Sequence, residues 1–421
     1  MSREYIMPYF SVYTPTHNAQ YLLRAAESLK SQKFKDFEWL IMPNGNVELP
    51  DLTKLPNCRI IEPSNKNSKT IGLLKGECCD AAKGEVLVEL DHDDELTPDC
   101  LQELYEAFSD DSVDFCYSND ADLDPNLEPF VYSPVYGWRD RPFEYKGRII
   151  KEQISFPPTA ASFSKIWFAP NHVRAWRKSF YDKIGGYNKS MDVLDDQDIL
   201  SRTYIYGNVK FIDKCLYVYY RHKENTCYGE KNKFIQTETL NIHDKYIYQL
   251  AAKWADLNNL LKIDLCGGFN PPEGYKSVDL SNADIIHNLN DPWPFKDGEV
   301  GVIRAHDALE HLKDPIHVMK EAQRCLSPMG WFLTQTPSTD GRGAFQDPTH
   351  ISFWNSNSFW YYTKKETAKY IGTPVRFQLN RIKNFFPNEY CQLHNIVYVK
   401  ADLLRLPDKN SDIRVPGSIE I

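Results

Sequence analysis

Two apolar runs near the start of the chain, YFSVYTPT and EWLIMP, have the length and composition of strands, and the stretch from Leu22 to Leu29 between them repeats at helical spacing. That alternation opens an α/β unit. TIGLLKGECCDAAKG predicts a second helix with Gly84 near its end, and EVLVEL a third strand that stops immediately before Asp91. Acids at that point stand at the carboxyl edge of a sheet, where open α/β folds bind ligands. From Asp120 to Phe168 the periodicity weakens while Pro and aromatic residues accumulate, which predicts an irregular lobe instead of further βα units. Periodicity returns at HVRAWRKSFYDKIGGYN. The run from Lys233 to Leu261, poor in Pro and Gly, predicts a long helix that closes one domain or bridges to the next, with a boundary near residue 255. LLKIDLC, KSVDL, EVGVIRAH and GWFLTQTP then follow at βαβ spacing. The expected organisation is α/β throughout, with one domain over residues 1–232, a helical linker over 233–259 and a second domain over 260–421.

A length of 421 residues agrees with two domains, since it exceeds what one hydrophobic core ordinarily serves. An apolar fraction of 42%, with 13% aromatic residues, is ample for packed cores and argues against a largely disordered chain. The formal charge of -9 argues against an unspecific nucleic-acid binder, which needs a concentrated basic surface. No specific nucleic-acid partner is expected. Ten cysteines are too dilute for a disulfide scaffold, and Cys78-Cys79 has no repeated Cys-x-x-Cys partner, so small buried side chains in a reducing cytosol are expected. No run approaches the roughly 18 apolar residues of a membrane span, and the expected location is cytoplasmic.

Three polar clusters in the first domain carry candidate chemistry. Asp91-His92-Asp93-Asp94 ends the EVLVEL strand, and carboxylates of that spacing suit a divalent cation that neutralises a phosphate leaving group. The other reading is an acidic turn in which Asp94 or Thr97 caps the next helix. Leu194-Asp195-Asp196-Gln197-Asp198 precedes a helical run; one of its acids, Asp196 first, suits a general base, and N-terminal capping by Asp195 or Asp196 is the alternative. Tyr219-Tyr220-Arg221-His222-Lys223-Glu224-Asn225-Thr226 offers an imidazole for a metal and cations for a phosphate, or a surface histidine after an aromatic strand.

These segments, with Ser11-Val12-Tyr13-Thr14-Pro15-Thr16-His17-Asn18 before them and Gly185-Gly186-Tyr187-Asn188 between them, occur in the order seen in family 2 of the inverting glycosyltransferases. Residues 8 to 230 resemble that family. The resemblance implies a GT-A nucleotide-sugar-binding fold, a nucleotide-sugar donor, a glycan or oligosaccharide acceptor and inversion at the anomeric carbon. It implies that Pro15, Thr16 and neighbouring backbone approach the nucleotide, that Asp91 contacts the donor or the ion, that Asp93 and His222 bind Mn²⁺ or Mg²⁺, and that Asp196 acts as base beside Asp195. Many members carry an acidic pair after the second strand; here Pro43-Asn44-Gly45 leaves Asn44 to make a neutral base or ribose contact. Lys69 lies where a basic residue often approaches the diphosphate, an ordinary surface lysine being the other reading.

In the second domain LKIDLCGGFN puts Asp264 at a strand end and Gly267-Gly268 in the turn, where small residues permit close approach of a cofactor. Asp279 ends the next strand. With Asp291-Pro292-Trp293-Pro294-Phe295, Glu310-His311-Leu312 and Arg324-Cys325-Leu326-Ser327-Pro328-Met329-Gly330, residues 260 to 400 resemble the class I S-adenosylmethionine-dependent methyltransferases, a Rossmann-like fold. The resemblance implies that the Asp264 loop, Gly267 and Gly268 cradle S-adenosylmethionine, that Asp279 binds its ribose, and that Asn288 and His306 complete the cofactor site. Three positions depart from the pattern: Cys266 and Met329 replace glycines, and Gly301 replaces an acid. Methylation of a sugar hydroxyl calls for a base, for which His311, Asp347 and His350 are candidates; the alternative for the last two is a structural turn and an internal histidine. Together the two resemblances imply sugar transfer and sugar O-methylation by one chain. The alternatives are a second domain that recognises acceptor without methylating it, or a non-enzymatic glycan-binding scaffold.

Overall fold

The computed structural model describes residues 7–51, 55–223, 225 and 230–417, in two compact units: residues 1–134 with 138–246, and 135–137 with 247–421. In the first unit parallel strands β1 (Phe10–Thr16), β2 (Phe37–Pro43), β3 (Cys58–Ile60) and β4 (Val86–Glu89) alternate with α1 (Leu22–Lys30) and α2 (Ile71–Ala81). Leu22, Ala25, Ala26 and Leu29 form one face of α1 and pack with Phe10, Val12, Trp39 and Ile41 of the sheet. After β5 (Glu95–Leu96) and α3 (Cys100–Phe108), the sheet continues through β6 (Phe115–Leu123), β10 (Arg174–Arg177) and β11 (Val209–Tyr220) in the order β3-β2-β1-β4-β10-β6-β11-β5. Strand β10 runs antiparallel between β4 and β6. Helices α4 (Ala160–Phe163) and α5 (Lys178–Lys183) flank it in sequence, and α6 (Asp195–Tyr206) leads into β11.

The segment from Asp120 to Phe168 is more regular than its composition predicts. Strand β7 (Pro129–Phe130) pairs with β6, and β8 (Arg139–Tyr145) and β9 (Arg148–Ile154) form an antiparallel hairpin joined to β6 through β9. Its two-residue turn, Lys146-Gly147, has positive φ at both positions, 49° and 75°, which matches the twist of the flanking strands. A lysine at the first turn position disguises a signal that Asn-Gly would have made plain.

Helix α7 (Glu230–Leu257) ends four residues before the expected limit, where Asn259 turns left-handed at φ 54° and the Leu260 N–H returns to the Ala255 carbonyl. The division between the units falls inside this helix, between Tyr246 and Ile247. The second unit is a seven-stranded sheet, β14-β13-β12-β15-β16-β18-β17, built from β12 (Leu261–Leu265), β13 (Lys276–Asp279), β14 (Ile285–Ile286), β15 (Val300–His306), β16 (Leu326–Pro337), β17 (Phe377–Phe385) and β18 (Tyr398–Arg405). All neighbours are parallel up to β16, and β18 is antiparallel to both β16 and β17. Helix α8 (Pro315–Cys325) crosses from β15 to β16, α9 (Gly343–Gln346), α10 (Ser356–Thr363) and α11 (Lys365–Ala368) lie between β16 and β17, and α12 (Glu389–Leu393) precedes β18. No helix among the described residues is long and apolar enough to cross a membrane. The nine described cysteines are free, and seven are buried.

Candidate active sites

The first unit holds a cavity of about 510 Å³ at the carboxyl edge of its parallel strands. Strand β1 brings Pro15 and Thr16 to it, the turn after β2 brings Asn44, the turn after β4 brings Asp91, His92 and Asp93, α6 brings Asp195 and Asp196, and the end of β11 brings Arg221 and His222. Lys69 is exposed and lies outside the lining, whereas Lys75 of α2 is part of it. Glu224 and Thr226 fall outside the described residues.

Asp93 Oδ2 lies 2.6 Å from His222 Nε2, and the Tyr21 ring stacks on that imidazole at 5.4 Å. Asp94 is turned to structure: the Tyr217 hydroxyl donates to its Oδ2 and the Tyr220 N–H to its Oδ1, both at 2.8 Å. Burial, then the charges of Asp93 and Asp91, push its carboxyl well above the usual range. Neither Asp94 nor Thr97 caps the next helix; the Thr97 hydroxyl donates to the Cys215 carbonyl. Arg221 is held by Asp122 at 2.8 Å and lies over the Phe130 ring. Asn44 donates through Nδ2 to the Ser68 carbonyl at 2.7 Å, and its buried Oδ1 has no partner among the described residues.

Leu194 precedes α6 with a left-handed backbone, φ 60°, a conformation that a non-glycine residue adopts at a cost of about 1–3 kcal/mol. The helix cap is therefore this leucine, with no side-chain hydrogen bond. The side chain of Asp196 is 24% exposed; its Oδ1 accepts the Gln197 N–H and its Oδ2 lies 3.2 Å from Arg174 Nη1. Asp195 is buried, and its carboxyl is pushed up to about 7 by burial first, with Asp196 and Glu89 adding to the shift against the pull of Lys75.

Glu89, Lys75, His172 and Arg174 form a buried charged layer behind these acids. Lys75 Nζ is 2.5 Å from Glu89 Oε1 and 3.7 Å from Asp195 Oδ2, while His172 and Arg174 approach Glu89 Oε2 at 3.7 and 3.8 Å. Burial raises the Glu89 carboxyl, but Lys75, His172 and Arg174 outweigh it and hold it well below the usual carboxylate range. The sequence reading missed all four. The available signal was charge inside apolar strands, Glu89 in EVLVEL and Arg174 in HVRAW, since buried charges occur paired.

In the second unit the chain leaves β12 through Cys266, Gly267 and Gly268. Arg304 Nη1 donates to Asp264 at 2.7 Å and its Nη2 to His306 Nδ1 at 2.8 Å, while the Asp279 carboxylate accepts the N–H groups of Gly268 and Leu280. Arg304 only donates, so the neutral His306 carries its proton on Nε2, 2.7 Å from the Tyr248 hydroxyl. Burial, and then Arg304, lower the basicity of His306 to about 3. Asp264, Gly267, Gly268, Asp279 and His306 thus share the carboxyl edge of β12, β13 and β15. Asn288 is exposed and bonded to Asn290, outside this network.

The departures have physical accounts. Cys266 and Met329 keep the glycine conformation, with φ 54° and 68°. At Gly301 a Cβ would stand 2.6 Å from the Ala255 Cβ, which excludes an acid. Asp347 is exposed and accepts from the N–H and hydroxyl of Thr349, the structural turn. His311 and His350 stand together, ring centroids 5.0 Å apart.

Residues 11–180 match the model of glycosyl transferase family 2, and residues 260–371 match a methyltransferase domain. The chain is 25% identical over 230 residues to the chondroitin synthase of Escherichia coli, a match covering 52% of this chain and 30% of the relative. It is 23% identical over 286 residues to the hyaluronan synthase of Pasteurella multocida, covering 61% of this chain and 27% of the relative. The chain therefore spans less than a third of the length of these curated relatives. The structure of S. aureus TarS residues 1–349 with UDP-GlcNAc aligns at 17% identity and a TM-score of 0.42, over 59% of this chain and 71% of that one. The chain is a family 2 glycosyltransferase domain of GT-A type fused to a Rossmann-like methyltransferase domain.

Proposed function

We propose that the region 1–232 transfers a sugar, with inversion, from a nucleotide-sugar to a hydroxyl of a glycan, and that the region 260–421 methylates a sugar hydroxyl with S-adenosylmethionine, residues 233–259 linking them. The observation that carries the first half is the convergence of Asp91, Asp93, His222, Asp195 and Asp196 on one cavity from three separate segments. Asp196, half out of the buried layer and oriented by Arg174, takes the proton of the acceptor hydroxyl as its oxygen attacks the anomeric carbon. Asp195 stands behind it. Asn44 Oδ1, with no partner among the described residues, accepts from a nucleobase or ribose, and the backbone at Pro15 and Thr16 borders the same space. The carboxylates of Asp91 and Asp93 and the imidazole of His222 make a donor set that fits Mn²⁺ or Mg²⁺, an ion that would neutralise the departing diphosphate. Glycan assembly agrees with the names of the chondroitin and hyaluronan synthases.

For the second half, a cradle narrow enough that a Cβ at Gly267 would meet Asp264 Oδ2 at 2.5 Å fits close approach of S-adenosylmethionine, which supplies an activated methyl group on a sulfonium. Asp279 holds ribose hydroxyls and Gly268 the adjoining backbone. Gly267→Ala is expected to displace Asp264 from Arg304 and to reduce the thermal stabilisation given by S-adenosylhomocysteine; an undiminished shift would remove Asp264 from the cofactor site.

A ligand panel on the intact chain tests both halves, because ligands that bind the folded state raise its apparent stability. UDP, GDP and dTDP are compared with and without Mn²⁺, beside S-adenosylhomocysteine. Manganese-dependent stabilisation by one nucleotide, and separate stabilisation by S-adenosylhomocysteine, are the expected results. A response to nucleotide alone would leave the second domain an acceptor-recognition module, and silence from both would overturn the bifunctional reading.

A further inference from the structure

Glu310, His311 and His350 each offer a ligand atom, the three within 4.8 Å of one another, and only Glu310 is deeply buried. They belong to the second unit. Glu310 and His311 sit in the turn after β15, and His350 follows α9, held close by the N–H groups of Ile351 and Ser352, which donate to the Glu310 carbonyl. Glu310 is 2% exposed; its Oε2 accepts the Thr336 hydroxyl at 2.7 Å, while its Oε1 is buried with no partner among the described residues. An unpaired buried carboxylate oxygen is costly, so its retention calls for a ligand.

The imidazoles are oriented as metal-binding imidazoles are. His311 Nδ1 lies 3.3 Å from the Thr349 carbonyl and 3.2 Å from the Thr349 hydroxyl, whose proton goes to Asp347, and His350 Nδ1 lies 3.1 Å from the Ala344 carbonyl. A carbonyl only accepts, so each neutral ring carries its proton on Nδ1 and leaves the Nε2 lone pair free. A second ring nitrogen that donates to a carbonyl is the usual way of aiming the first at a metal. Two imidazole nitrogens and one carboxylate oxygen form a three-point set suited to a borderline divalent ion with open positions for substrate oxygens.

We propose that Glu310, His311 and His350 bind one divalent cation, and that this ion receives the acceptor hydroxyl, with a neighbouring hydroxyl of the same sugar, for methylation. This rests on the methyltransferase reading of the second unit. The site lies on the sheet edge that carries the Cys266–Gly268 turn, and Glu310 is among the charges that act on Cys266. A metal-bound hydroxyl loses its proton to water at a lower pH than a free one. The alkoxide oxygen then forms a bond to the methyl carbon, the carbon–sulfur bond breaks with its electron pair left on sulfur, and S-adenosylhomocysteine departs.

The test uses the full chain carrying Asp93→Asn and His222→Ala, so that the first cavity does not compete for metal, stripped with chelator and titrated with Co²⁺. One equivalent is expected to bind, with visible d–d absorption. His311→Gln and His350→Ala should each weaken Co²⁺ binding by more than about tenfold, and Thr336→Val, which removes the hydrogen bond to Glu310, by about tenfold. Far-UV circular dichroism of each variant establishes that it is folded. Absence of Co²⁺ binding in the parent chain, or an affinity that His311→Gln leaves unchanged, overturns the metal site. Stabilisation by S-adenosylhomocysteine, measured on the same samples, separates the two failures: retained without Co²⁺ binding, it sinks the metal site alone; lost while Co²⁺ binds, it sinks the methyltransferase reading alone.

Discussion

Asp196→Asn should lower the rate of sugar transfer by about 10²–10⁴-fold while leaving nucleotide-induced stabilisation in place. The amide is nearly isosteric with the carboxylate and its oxygen can keep the hydrogen bond from Gln197, but its NH₂ group cannot accept from Arg174 and the side chain cannot take a proton. Asp195→Asn makes the contrast. Its carboxyl is buried and pushed up to about 7, which leaves it partly protonated at neutral pH and poorly exposed to an acceptor. Single-turnover rates of both variants with the donor selected by the ligand panel decide the assignment, and a larger loss in Asp195→Asn would move the base to that residue.

Lys75→Met should destabilise the first unit by about 3–5 kcal/mol in urea unfolding, the usual result of removing one partner of a buried ion pair. Methionine fills much of the volume, so the loss measures charge more than packing. Glu89 would keep only His172 and Arg174, at 3.7 and 3.8 Å, and Asp195 would lose the cation that lowers its pKa. The deficit should also depend on pH. A carboxyl whose folded pKa is raised, as that of Asp195 is from 3.8 to about 7, contributes stability that is complete below the unfolded value and lost as pH rises through the folded one. Without Lys75 the Asp195 carboxyl rises further and the Glu89 carboxyl loses part of its lowering, so the variant should fall behind the parent more at about pH 8 than at about pH 5. Adding Glu89→Gln to Lys75→Met should restore part of the loss, and simple additivity of the two would argue against coupling.

Strand ends were legible because apolar runs stop where backbone leaves the sheet: EVLVEL before Asp91 and LKIDL before Cys266 both mark edges that the structure lines with polar groups. The acids of both first-unit clusters are adjacent in sequence and were found for that reason. Lys75 was not, because nothing local distinguishes a lysine on an amphipathic helix from one inserted between two buried carboxylates. Lys69 carries the charge expected beside a diphosphate, but it is exposed, precedes α2 and lies outside the cavity lining. The pairing of His311 with His350 joins residues brought together by the long loop after β16, and the sequence offered them separately, each as a candidate base.

The hairpin formed by β8 and β9 leaves β8 as a free edge, since β9 is its only partner among the described residues. A free edge is an invitation for another chain to add a strand. Here the edge carries Arg139, Asp140 and Arg141, and then Pro142, which has no N–H to give to an incoming backbone. Any added strand would meet a missing hydrogen bond in the middle of its register and mixed charge before it. The lobe can extend into solvent beside the cavity without seeding edge-to-edge aggregation, a property that matters during synthesis, when the hairpin is complete before the later strands of its own sheet have been made.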